Sequence, residues 1–283
     1  MTAARRLRDL LARPGILRSL APHDVFTARV MADAGIELLF LGGFGASAST
    51  LGLPDLGFIT LPEMADIARH IAGSVSAPLI VDADTGHGDL PQVARCVREL
   101  ERAGAAGLLL EDQVFPKRCG HFAGKQVIPA AEMVRKLRTA LETRADADFV
   151  IVARTDARAV EGLQAAIDRA CLYAETGADV CFIEAPRSVA ELSHIARAVP
   201  KPQLANMLVG GVTPILSADE LERLGFKICV SPVESLAVTA YAVRTLAQTL
   251  LRDGRVDTLQ QMVSFAELKR LLHVDAYLSP ADR

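Results

Sequence analysis

Four times along this chain a glycine leads into a short apolar run: "AGIELLFLGG", "AGAAGLLLED", "TGADVCFIEAP" and "LGFKICVSPV". Gly35, Gly104, Gly177 and Gly225 suit the left-handed position that closes a helix. The runs are continuous rather than alternating, as strands of a parallel sheet covered on both faces must be. "GILRSL", "APLIVDADTG", "DFVIVARTDA" and "KPQLANM" bring the strands to eight. The segments between them carry a helical period: Val93, Cys96, Val97 and Leu100 form a stripe opposite Arg95, Arg98 and Arg102. Thr60/Glu63, Ser188/Glu191 and Ser217/Glu220 have capping-box spacing, and Pro91 and Pro129 suit a first helical turn. Eight strands alternating with helices predict a TIM (β/α)8 barrel, with a doubly wound open sheet as the alternative. With no linker visible, the chain reads as one barrel domain over 1–283. An N-terminal helix covers about 1–14, and a helical extension covers about 234–283, more than one closing helix requires and able to pack against another subunit.

Composition narrows the class. The chain has 283 residues, 51% hydrophobic and 23% charged, which is globular. A net charge of −3 without a long basic run argues against nucleic acid. No apolar run approaches the ~20 residues of a membrane span, and Arg5, Arg6 and Arg8 read as a solvated helix rather than a targeting signal. Five cysteines, an odd number without metal spacing, read as reduced thiols in the cytoplasm.

Polar residues gather where the strands end. Asp82 and Asp84 end the third strand, Glu111 and Asp112 the fourth, Arg154 and Asp156 the fifth, Glu184 the sixth and Asn206 the seventh. Barrel enzymes build their sites at these C-terminal ends. Strand alternation puts Asp82 with Asp84 on one face, and Arg154 with Asp156. Converging carboxylates need a cation, and an all-oxygen set favours Mg²⁺ or Mn²⁺ over zinc. Arg154 would offer a fork to a substrate carboxylate, although alone it reads equally as a structural ion pair with Asp156. His87 reads as a turn cap. Cys96, Cys171, Cys181 and Cys229 lie in apolar helix or strand positions and read as packing. Cys119 differs, since Lys117, Arg118 and His121 beside it would lower its pKa. A zinc site on Cys119 and His121 lacks two further ligands.

"VDADTG", "LGLPDLG", "EDQ", "KRCGH" and "ARTDA" together resemble the isocitrate lyase and phosphoenolpyruvate mutase superfamily over about residues 15–235. The resemblance implies a TIM barrel whose last helix is exchanged between subunits of a homotetramer, and a Mg²⁺ site for small-molecule α-keto or 2-hydroxy carboxylates. It implies Asp82 as direct metal ligand, with Asp84, Glu111 and Asp55 holding the metal's water. Backbone groups of Gly42, Gly43 and Phe44 would bind the carboxylate of a pyruvate-like fragment and Arg154 that fragment's oxygens, while Glu184 and Asn206 would contact the rest of the substrate. Lys117, Cys119, Gly120 and His121 would form a closing lid. The implied chemistry is C2–C3 cleavage of a 2-hydroxy di- or tricarboxylate, with Glu111, Arg154 and Cys119 catalytic and the thiol protonating the departing carbanion. Phe40 stands where lyases of this superfamily often carry tyrosine, Gly42 where methylisocitrate lyases carry serine, and Val209 where related sequences often carry glutamate. "FPKRCGHF" and "ANM…GG…TP" are similar to dimethylmalate lyases and carboxyvinyl-carboxyphosphonate phosphorylmutases. The alternatives are a phosphonate-forming mutase, an oxaloacetate decarboxylase and, from another class, a non-catalytic carboxylate-binding protein.

Overall fold

The computed structural model describes residues 1–120 and 122–278. Its strands are β1 (Leu17–Leu20), β2 (Leu38–Leu41), β3 (Leu79–Asp82), β4 (Gly107–Glu111), β5 (Val150–Thr155), β6 (Val180–Ile183), β7 (Leu204–Asn206) and β8 (Ile228–Ser231). Each lies inside a run expected from the sequence. All pair in parallel and in sequential order, with β8 returning to β1 and Cys181 of β6 bridging Gln203 just ahead of β7. There is none of the order reversal of a doubly wound sheet. This is a (β/α)8 barrel.

The local signals act as their chemistry requires. Gly35, Gly104, Gly177 and Gly225 have φ of +91°, +88°, +116° and +108°, where a side chain would be strained. Thr60/Glu63 and Ser217/Glu220 form reciprocal capping boxes. Ser188 makes half of one. Its hydroxyl accepts from the Glu191 N–H, but the Glu191 carboxylate is drawn to the Arg158 guanidinium at 2.7 and 2.8 Å and to the Arg187 N–H. A bidentate charged partner outcompetes one exposed backbone donor. Pro129 is the N-cap of helix Ala130–Thr143, one residue ahead of the first turn.

Strand parity then builds the site. Leu38 and Phe40 of β2, Ile80 of β3, Leu109 of β4, Val150 and Val152 of β5, and Val180 and Phe182 of β6 pack together in the barrel interior. Their alternates Leu39, Leu41, Val81, Leu108, Leu110 and Ile151 pack against the surrounding helices. Leu7 of helix Ala3–Ala12 joins the interior cluster and closes the N-terminal end. The inward parity continues past this apolar floor, so Asp82, Glu111, Arg154, Glu184 and Asn206 all point into the C-terminal mouth. Two residues beyond the strand ends, Asp84 and Ala185 take φ of +49° and +59°. Non-glycine residues in that region mark functional strain. Here each N–H is held by a carboxylate: Asp84 N–H donates to Asp82 Oδ1, and Ala185 N–H to Glu184 Oε1.

Beyond β8 the described residues form two α-helices. Helix Glu234–Asp253 buries only Thr249 and is followed by Phe265–Leu271. Leu251 is 86% exposed and Phe265 78%.

Candidate active site

A cavity opens at the C-terminal mouth of the barrel. Its wall carries charge from Asp55, Asp82, Glu184, Lys117 and Arg154 and carbon from Phe40, Phe182, Leu204, Leu208, Val230 and Val233. Cys119, Gly120, Gly42, Gly43 and Asn206 complete the lining. Gly42 caps helix Gly43–Leu51, whose N-terminus therefore faces the cavity and favours an anion. The Gly43 N–H is already committed to Asp82 Oδ2 at 3.2 Å. A side chain on Gly43 would come within 3.0 Å of Lys117 Nζ and 3.2 Å of Asp55 Oδ1. Glycine is needed there because the lysine must reach the acids.

Asp84 and Glu111 stand just behind this wall. Lys117 Nζ lies 2.5 Å from Asp55 Oδ1 and 2.7 Å from Asp84 Oδ1. The second contact is an ion pair without hydrogen-bond alignment, so among the described residues Asp84 Oδ1 has no donor, and neither do Glu111 Oε1 or Asn206 Oδ1. Arg154 Nε donates to Asp156 Oδ2 and Nη2 to Asp156 Oδ1. The same guanidinium lies 3.3 Å from Glu111 and 3.2 Å from Glu184, with the Phe182 ring 5.4 Å away. Its face stacks while its edges bind acids, a combination lysine does not offer.

Six buried carboxylates (Asp55, Asp82, Asp84, Glu111, Asp156, Glu184) face three buried cations (Lys117, Lys125, Arg154). Burying unpaired charge is costly, and the pKa values report it. Burial, reinforced by Asp82 and Asp55 against the opposing pull of Lys117, lifts Asp84 to about 7. Burial likewise holds Glu111 well above the usual carboxylate range although Arg154 opposes it. Burial disfavours the Lys117 ammonium, but Asp84, Asp82, Asp55 and Glu111 outweigh it and raise its pKa well above normal. The site lacks positive charge and contains acid oxygens without donors. Among the described residues no three potential ligands converge tightly enough to hold a metal jointly. That set fits a hard cation such as Mg²⁺, which keeps much of its water and takes one or two carboxylates directly.

The loop expected to act as a lid is pinned at its base by an antiparallel bridge between Gln113 and Val127. The Gln113 amide holds both backbone groups of Arg118, donating to its carbonyl at 2.8 Å and accepting its N–H at 3.0 Å. Cys119 N–H donates to the Asp55 carbonyl at 3.2 Å, which hangs the thiol-bearing turn over the cavity. Arg118 turns outward to the Ala123 carbonyl and Lys117 inward to the acids. The two cations next to the thiol in sequence thus serve other partners. The expectation for His121 lies outside the described residues. Of the other cysteines, burial pushes Cys96 and Cys181 up to about 12, and Cys171 and Cys229 are raised for the same reason. They are inert packing groups.

Sequence reasoning missed one layer. Asp112 accepts from Thr155 Oγ1 (2.7 Å), Tyr173 OH (2.8 Å), Arg169 and the Asp156 N–H, fixing the turn after β5. No spacing joins Asp112 to a helix about sixty residues later. Lys125 was missed as well. Its ammonium donates to Asp156 Oδ1 at 2.6 Å and to the Gly120 carbonyl.

Residues 7–251 match the family model described as phosphoenolpyruvate phosphomutase. The chain is 41% identical to 2,3-dimethylmalate lyase of Eubacterium barkeri, covering 97% of this chain and 96% of that one. It is 42% identical to 2-methylisocitrate lyase of Aeropyrum pernix, covering 96% and 87%. A crystal structure of 2,3-dimethylmalate lyase, titled a PEP mutase/isocitrate lyase superfamily member, superposes with a TM-score of 0.92 at 35% identity, covering 98% and 93%. Phosphonopyruvate hydrolase in complex with oxalate and Mg²⁺ superposes with a TM-score of 0.88 at 29% identity, covering 98% and 97%. Motifs, barrel, acid-lined mouth and these matches agree: the chain belongs to the phosphoenolpyruvate mutase/isocitrate lyase superfamily.

Proposed function

We propose that this protein is a Mg²⁺-dependent carbon–carbon lyase that cleaves an alkyl-substituted 2-hydroxy dicarboxylate, a substituted malate, into an α-keto acid such as pyruvate and a second carboxylate. The observation that carries the reading is the mixed lining of the cavity. Acids and Arg154 line it together with Phe40, Phe182, Leu204 and Leu208, and Cys119 lies beside them. The charged groups suit the 2-hydroxy acid half, and the carbon lining suits alkyl groups better than a third carboxylate. Relatives named as lyases of dimethylmalate and methylisocitrate support it.

Asp82 would bind the cation, with Asp84, Glu111 and Asp55 holding its water; Mn²⁺ could replace it. Bound Mg²⁺ supplies positive charge beside the 2-hydroxyl and lowers its pKa. Arg154 and the helix start at Gly43 and Phe44 orient the carboxylate, while Glu184 and Asn206 contact the remainder. Phe40 brings no hydroxyl to the cavity, so the hydroxyl proton passes to a carboxylate, and Glu111, whose Oε1 lacks a donor, receives it. As the C2–C3 bond breaks, its electron pair stays on C3 and a carbonyl forms at C2. The Cys119 thiol protonates C3, and the proton on Glu111 returns through solvent to the thiolate.

Assembly and location complete the reading. Val238, Tyr241, Leu251 and Phe265 are all more than 60% exposed, an apolar face that a second copy would cover by exchanging the C-terminal helix within a homotetramer. No helix among the described residues is long and apolar enough to cross a membrane. The odd cysteine count fits a cytoplasmic enzyme.

The test is keto-acid release from a panel of 2-hydroxy di- and tricarboxylates with Mg²⁺ and with EDTA, oxaloacetate and phosphonopyruvate serving as controls. Metal-dependent pyruvate from an alkyl malate is the expected result. Turnover of a control alone would replace the lyase with a decarboxylase or phosphonate chemistry.

A further inference from the structure

We propose that Lys125 is the positioning residue that sets Cys119 over the reaction centre, by tying the lid to Asp156, the carboxylate that also aims Arg154. The inference rests on the lyase reading and assigns a role to a side chain that reading does not use.

Lys125 is a lid residue, yet its side chain is 2% exposed and Asp156 is 0% exposed. An ammonium on a surface loop ordinarily stays in water, and here it is taken inside to meet an acid at 2.6 Å. Its second contact is the Gly120 carbonyl. Gly120 directly follows Cys119 and lies against the substrate-binding groups, since a Cβ there would collide with Arg154 Nη2 and the Glu184 carboxylate. The ammonium therefore joins the peptide beside the thiol to the group that orients Arg154 through both Nε and Nη2. Asp156 is itself fixed from behind, its N–H donating to Asp112 and Asp112 being held by Thr155, Tyr173 and Arg169. The strut is rigid at its base.

The consequence is specific. The Asp55 carbonyl suspends the Cys119 N–H from one side of the lid, and Lys125 holds the Gly120 carbonyl from the other. With the Phe122 N–H donated to the Cys119 carbonyl, these anchors fix the direction in which the thiol projects, and Lys125 is the one that ties it to Asp156. Losing the Lys125 anchor should therefore misplace the acid, with less effect on the part of the site that recognises the 2-hydroxy acid.

The experiment is a double-mutant cycle of Lys125→Met and Cys119→Ser, with kcat and KM for keto-acid release read separately and folding checked by circular dichroism. Lys125→Met is expected to lower kcat by about 10²-fold, the effect of a misplacement near 1 Å, with KM within about threefold. In the Cys119→Ser background the same substitution should cost less than about threefold, because the group it positions is gone. Equal losses in both backgrounds, or an unchanged kcat in Lys125→Met, would overturn the proposal. Activity retained in Cys119→Ser alone would instead remove the lyase mechanism, so the two failures are distinguishable. If Lys125→Met does not fold, Lys125→Arg carries the same cycle: it keeps Asp156 paired while its wider head displaces the Gly120 carbonyl.

Discussion

Asp84 shows how one residue carries the electrostatics of the site. Burial first, then Asp82 and Asp55, hold its carboxyl at about 7 against an ordinary 3.8. A folded-state pKa raised in this way gives metal-free protein a contribution to stability that is complete below 3.8 and lost as pH rises through about 7. A divalent cation binds the ionised form and reverses that loss. The rise in Tm on adding Mg²⁺ should therefore be larger at pH 8 than at pH 5.5, measured by thermal denaturation at fixed ionic strength; an equal or smaller rise at pH 8 would show that Asp84 does not face the metal. At this scale the sequence was informative about identity and silent about coupling. Their place at C-terminal strand ends indicated that Asp82, Glu111, Arg154, Glu184 and Asn206 would meet. Nothing in the spacing indicated that Lys117 would be spent on Asp55 and Asp84, since that depends on how a loop folds back over the mouth.

In the proposed mechanism the chemistry depends on the lid, and Gly120 is packed against the site there. A Cβ there meets Arg154 and Glu184, both fixed by neighbouring charges. Gly120→Ala should prevent full closure and lower kcat/KM by about 10²-fold, and should lower Tm as well, because lifting the loop would unpair the buried Lys117 and Lys125. Steady-state kinetics beside a melting curve would check both; a normal kcat/KM would mean that closure is not required. Regular elements were more legible than this lid. All eight strands lay in largely apolar runs, because a parallel strand buried on both faces has little freedom in composition. The Ser188/Glu191 box failed by half because Arg158, about thirty residues earlier, competes for the same carboxylate. Local sequence does not contain that competitor.

At the scale of the whole molecule, the barrel ends in a helix that this chain does not cover. Helix Glu234–Asp253 leaves Val238, Tyr241 and Leu251 exposed, and the proposed second copy is their partner. Leu251→Glu combined with Tyr241→Glu should shift sedimentation velocity from tetramer toward monomer at micromolar protein; an unchanged sedimentation profile would place the assembly surface elsewhere. The central claim, however, concerns chemistry: a thiol on a lid protonates the carbanion left by C2–C3 cleavage. Its most direct test is keto-acid release by Cys119→Ser, with Mg²⁺ present, on the best hydroxy-acid substrate. A fall of about 10²- to 10⁴-fold in kcat, the range of general acid catalysis, with substrate binding retained, is the expected result. Release within about threefold of the parent protein would contradict it.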